Sequence, residues 1–381
     1  MIFVDIKSNL LSWARERAGK DFHSLERRFP KLAAWESGRV KPTLKQIEKF
    51  AKATYTPVGF FFLEEPPIEK IPIPDFRTVT NEYTLRPSPN LLDTIYMCQQ
   101  RQEWYHDYAR SIGEEPLPFV GTASVKNDVV AMATEMRQVI GFDIDARRKM
   151  PTWTDALRQF IEQVDSIGIM VMCSGVVMNN NHRHLEPNEF RGFAMTDKLA
   201  PLVFINGADT KAAQMFTLAH EIAHIWLGLS AVSDVQASWI PDHNVEHWCN
   251  KVAAEFLVPL DLIKHDFQKN EDLHDELNRL ARRFKVSTLV ILRRIYDAGY
   301  ISFNNFQQVY QMELERLVSI VAKGGGGNFY LTQAARVSKR FARALITNTL
   351  EGQTLHRDAF RMLGFSKLTT FHELGQSLGV L

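Results

Sequence analysis

Two histidines four residues apart inside an apolar helical run constrain this chain more than any other feature. The run is KAAQMFTLAHEIAHIWLG, residues 211–228, in which Ala212, Ala213, Phe216, Ala219, Ala223 and Trp226 keep mostly to one face. Asp209 and Thr210 ahead of it are expected to cap its start. On a helix, His220 and His224 project from the same face one turn apart, so both imidazoles can reach a single zinc ion. Glu221 sits beside the first of them, where its carboxylate is placed to take a proton from a water on the metal rather than to bind the metal itself.

A tetrahedral catalytic zinc needs a third protein ligand and an open position for water, and that ligand must come from another element downstream. Glu246 opens EHWCN, 22 residues after His224, in a stretch with helical periodicity, and it is the preferred candidate. Asn250 lies one turn further on, where it could accept a hydrogen bond from the non-ligating nitrogen of His220 or His224 and fix that ring. Glu255 is the competing ligand, on the opposite half of the same helix. His243 and His247 flank Glu246, and either could help to stabilise a tetrahedral oxyanion. His182 and His184 read as a solvated loop, and Cys249 as a buried small side chain rather than a thiolate ligand.

Around this motif the chain reads as several pieces. Residues 1–63 carry short helices at about 7–18 and 22–29, from Pro30 to Gly38, and after Pro42-Thr43, forming a small helical domain. Residues 64–80 are a proline-rich linker, in which Pro66, Pro67, Pro72 and Pro74 forbid a continuing helix. Residues 81–300 hold helices at about 91–112, 124–140 and 154–166, then strands at 167–175, 190–197 and 201–207 leading into the histidine helix. Residues 301–381 form a helical extension broken by GGGG at 324–327. The fold class expected is therefore α+β, with a short sheet between helical parts.

At 381 residues, 45% apolar and 23% charged, the chain is long enough for more than one core and too apolar for extensive disorder. The net charge of +1 conceals 12 Lys and Arg against 6 Asp and Glu in residues 1–52, an excess that points toward nucleic acid. Cys98, Cys173 and Cys249 are too few and too scattered for a disulfide framework, which favours a reducing compartment. The first twenty residues lack the pattern of a secretory signal and no apolar run is long enough to span a bilayer, so the cytoplasm is the expected location and no membrane partner is expected. A homo-oligomer is left open.

FTLAHEIAHIWLG followed by EHWCNKVAAEFLVP resembles the ImmA/IrrE family of metallopeptidases, which cleave or otherwise inactivate helix-turn-helix repressors. The resemblance extends to PDFRT (74–78), to FRGFAMTDKLAPLVFINGADT ahead of the histidine helix, and to RRFKVS and GGGGNFY behind it. It implies zinc ligands at His220, His224 and Glu246, a general base at Glu221 and a protein substrate. It also implies a zincin-like, reduced thermolysin-like domain with a curled sheet, whose edge strand holds the substrate extended, with PLVFING near that cleft. LAAWESGRVKPTLKQIEKFAKA resembles part of an Xre-type helix-turn-helix domain, although the chain between Gly19 and Leu32 is about four residues short for that motif. Arg27, Arg28, Lys31, Arg39 and Lys41 are the residues placed to contact DNA phosphates. Two functions follow: a site-specific zinc endopeptidase acting on a regulatory protein, or a DNA-associated regulator or antitoxin that uses the peptidase fold for binding.

Overall fold

A computed structural model describes residues 2–75, 86–233, 244–320 and 335–381. They divide into two compact units, residues 2–72 with 86–95, and residues 73–75 with 96–381. Between them the architecture is mixed α+β.

The first unit contains α1 (Ser8–Arg17), α2 (Phe22–Arg28), α3 (Leu32–Glu36) and α4 (Leu44–Ala53). Thr43 starts α4 with a capping box closed by Gln46. The core forms around Phe50, whose ring meets Phe29, Trp35 and Phe61 edge to face. Phe61 belongs to a 3-10 turn, Val58–Phe62, and completes this core. The first part of the proline-rich stretch is also held here, because Lys7 pairs with Glu64 and Arg17 with Glu69. Between Gly19 and Leu32 stand only α2, of 7 residues, and the turn into α3.

The second unit takes in the later part of α5 (Pro89–Ser111), then α6 (Val129–Ile140), α7 (Ile144–Arg148) and α8 (Trp153–Ser166). The strands β1 (Met170–Ser174), β2 (Gly192–Met195) and β3 (Leu202–Asn206) follow, then α9 (Lys211–Leu227) and β4 (Ala231–Ser233). The sheet order is β1-β3-β2-β4, with β1 and β3 parallel and the other pairs antiparallel. PLVFING forms β3, an interior strand bonded on both sides, so it offers no free edge to a peptide. The edges are β1 and β4, and β4 itself, three residues of ordinary composition, was not foreseen.

Helix α9 lies against β2 and β3 and between α8 and the later α10 (Asn244–Leu257). Covered from every direction, it is buried at each position from Gln214 to Trp226, not along one stripe. Thr210 caps it by accepting from the Ala213 amide, while Asp209 is drawn off to pair with Arg191. The helix ends at Gly228, whose left-handed φ of +71° suits glycine and whose missing Cβ admits Gly121.

Beyond α10 come α11 (Leu260–Asp266), α12 (Leu273–Phe284), α13 (Thr288–Asp297) and α14 (Phe303–Ile320), then α15 (Lys339–Leu350), α16 (His356–Leu363) and α17 (Leu368–Leu378). The last three are tied into the second unit. Asp165 of α8 accepts from the Ser338 hydroxyl and the Arg340 amide, Asn179 donates to the Gly364 carbonyl, and the buried Arg101 donates to the Met362 carbonyl. GGGG at 324–327, His243 and the Phe-Arg-Thr of PDFRT lie outside the described residues. Among the described residues no helix is long and apolar enough to cross a membrane, and the three cysteines form no disulfide.

Candidate metal centre

The helical period places His220 and His224 on the face of α9 that meets α10, and α10 brings Glu246 from its first turn. The three side chains are buried and form a possible metal-ligand group. His220 Nε2 is 3.0 Å from His224 Nε2 and 3.1 Å from Glu246 Oε2, and His224 Nε2 is 3.0 Å from Glu246 Oε1. Four ligands at zinc bond lengths would stand at tetrahedral edges of about 3.3 Å, close to these separations. Glu246 Oε1 has no donor in hydrogen-bonding line even though His224 Nε2 is near. The donor atoms thus converge on a common point more than they satisfy one another, and the set suits zinc.

Asn250, one turn along α10 from Glu246, has its Oδ1 2.9 Å from His220 Nδ1. An amide oxygen can only accept there, so Nδ1 carries the proton and Nε2 keeps its lone pair toward the ligand group. Burial alone would lower the His220 pKa, but the carboxylate of Glu246 reverses this and raises it, whereas burial dominates at His224 and lowers it. Burial also acts to raise the pKa of Glu246, yet the two imidazoles hold it well below the usual carboxylate range.

Glu221 is fully buried, and burial pushes its pKa up to about 8, against the opposing pull of His220. Neither carboxylate oxygen meets a donor in hydrogen-bonding geometry among the described residues, although the Ser233 hydroxyl of β4 is close enough to favour its charge. Beside it stands Gly192 of β2, paired in register with Ser233. A Cβ at Gly192 would lie 2.6 Å from the Thr217 methyl, 2.9 Å from the Phe204 carbonyl and 3.1 Å from Glu221 Oε1. Only glycine lets the sheet approach the helix closely enough to confine this carboxylate. Gly192 and Ser233 are site residues that periodicity and motif spacing do not reveal.

Glu255 is brought elsewhere. It pairs with Arg294 of α13 and accepts from the Leu260 amide, in the interior on the far side of α10. Around it the carbonyls at the end of α10 are bonded by guanidinium groups: Arg137 reaches those of Glu255 and Phe256, Arg147 that of Leu257 and Arg294 that of Val258. These arginines from α6, α7 and α13 satisfy the helix end and complement its partial negative charge, fixing the element that carries Glu246. Nothing local in the sequence signals that role. His247 has Lys251, Arg293 and Asp297 as its charged neighbours, so it faces away from the ligand group. Burial, then the charges of Glu246 and Glu221, hold the Cys249 thiol protonated. His182 and His184 are exposed in the loop after β1.

Residues 164–296, from the end of α8 into α13, match the family model of the IrrE N-terminal-like domain, a peptidase family. The match points to a metallopeptidase-type function. Residues 337–377, which take in most of α15–α17, match a domain of unknown function (DUF8813). No curated protein sequence matches the chain.

Arg27, Arg28, Lys31, Arg39 and Lys41 are exposed on the first unit at α2, the turn before α3 and the segment leading to α4. Lys41 is partly engaged by Asp5, at 3.1 Å.

Proposed function

We propose that this chain is a zincin-like, zinc-dependent, site-specific endopeptidase that cleaves a regulatory protein such as a helix-turn-helix repressor. The observation that carries the reading is the convergence of His220, His224 and Glu246 with a buried Glu221 beside them, whose carboxylate meets no donor in hydrogen-bonding geometry among the described residues. His220 and His224 would hold zinc through Nε2 and Glu246 through its carboxylate, with Asn250 orienting the His220 ring. Zinc bound there supplies a Lewis acid that polarises the scissile carbonyl and lowers the pKa of water toward neutrality. Glu221 takes the proton of the attacking water on a carboxylate oxygen and delivers it to the leaving amine. Burial suits this shuttle, because it raises the affinity of the carboxylate for the proton it has to take up. The resemblance to the ImmA/IrrE family supports a repressor as substrate.

The test is to incubate the purified protein with the products of its neighbouring genes, with added zinc or with a chelator. A discrete new fragment that the chelator suppresses is the expected result; a fragment indifferent to the chelator, or none from any neighbour, would contradict the reading.

A second reading, a DNA-associated regulator or antitoxin with an Xre-type helix-turn-helix domain, is favoured by the five exposed basic side chains of the first unit. If they bind phosphates, DNA affinity falls steeply with salt, and replacing Arg27, Arg28 and Lys31 together by Ala flattens the log–log slope by about 0.9 for each phosphate that is no longer neutralised. A salt titration of DNA binding decides it: an unchanged slope removes these residues from the interface, and no binding at low salt removes the reading.

A further inference from the structure

Strand β4 is the sheet edge beside Glu221, because its Ser233 lies opposite Gly192 and close to that carboxylate. Its outer side is taken by the chain itself. The Val232 amide donates to the Pro74 carbonyl at 2.9 Å, and Asp75 forms an isolated parallel bridge with Val232. We propose that Ile73–Asp75 is an internal placeholder on this edge, and that an extended peptide must displace it to reach the metal centre. This rests on the endopeptidase reading above.

The pairing has the character of a stopgap. Pro74 has no N–H, so beyond the carbonyl it already offers it cannot donate back to β4, and the ladder cannot propagate toward Pro72. Pro74 and Asp75 are exposed, so little apolar surface is lost when they lift away. A peptide with its full set of amide donors can make the rung that Pro74 cannot, as in other cases of strand addition. Meanwhile the segment covers an edge that would otherwise invite pairing with any chain. It thus protects the edge and yields to a better partner.

The experiment uses the full zinc-loaded chain, two variants and two probes. Pro74→Ala restores a donor and tightens the placeholder, whereas Ile73→Gly with Asp75→Gly keeps Pro74 and loosens it. The probes are an apolar tripeptide capped with a hydroxamate, which needs both the metal and the edge, and acetohydroxamate, which needs the metal alone. Isothermal titration should show the capped tripeptide binding about threefold to tenfold tighter to the loosened variant and weaker by a similar factor to the tightened one, the worth of about one hydrogen bond. Acetohydroxamate should bind all three proteins alike. Hydrogen exchange at the Val232 amide should quicken in the loosened variant and slow again when the tripeptide is bound. Equal tripeptide affinity in both variants despite altered Val232 exchange would overturn the proposal, as would tripeptide binding that leaves Val232 unprotected. Failure of acetohydroxamate to bind any of the three would instead strike the metal centre on which the proposal depends.

Discussion

Glu221→Gln is expected to lower the cleavage rate by about 10²–10⁴-fold while leaving zinc content and fold intact, the range that a positioned general base contributes. The amide has the shape of the carboxylate, so the close packing against Gly192 and Thr217 is kept. It cannot take the proton of the attacking water, and that is the function lost. Stability should not suffer, because the wild-type carboxylate is buried without a bonded donor among the described residues and burial already disfavours its charge. Fragment yield against time, with zinc measured on the same samples, checks both halves. Full activity in this variant would assign the base elsewhere; loss of zinc with activity would make Glu221 a support of the metal.

Replacing a ligand should act earlier, on the metal itself. His220→Ala, His224→Ala and Glu246→Ala each leave two protein donors where a catalytic site needs three, so zinc should be lost at concentrations that saturate the wild type. Asn250→Ala is expected to be milder, weakening zinc by about 10–100-fold, as the loss of a hydrogen bond to a ligand does. Glu255→Ala separates the two carboxylates on α10. It removes one partner of the buried Arg294, which keeps the Val258 carbonyl and Asp297, and should cost about 1–3 kcal/mol of stability, yet retain the metal. Zinc titration beside denaturant unfolding distinguishes these outcomes, and metal loss in Glu255→Ala with retention in Glu246→Ala would reverse the assignment.

The parts of this protein legible in its sequence are those with a local cause. The His220 and His224 spacing, the apolar period of α9, the capping residues Thr43 and Thr210 and the strands preceding the helix each announce themselves within a few residues. The parts that were not legible depend on neighbours distant in sequence. Gly192 matters because of Thr217 and Glu221 across a packed interface, and Arg137, Arg147 and Arg294 because the end of α10 happens to meet them. β4 has three residues and no periodicity to read, and the interior place of β3 follows from strand order, which local patterns do not encode.

The central claim is that two imidazoles and one carboxylate of this chain bind zinc. X-ray absorption at the zinc edge of the zinc-loaded protein measures this directly. The expected first shell is nitrogen and oxygen alone at about 2.0–2.1 Å, with the outer-shell scattering of two imidazoles, and His220→Ala freed of excess metal should give no such zinc signal. A sulfur at about 2.3 Å, which would implicate a cysteine such as Cys249, or imidazole scattering unchanged in His220→Ala and His224→Ala, would contradict it.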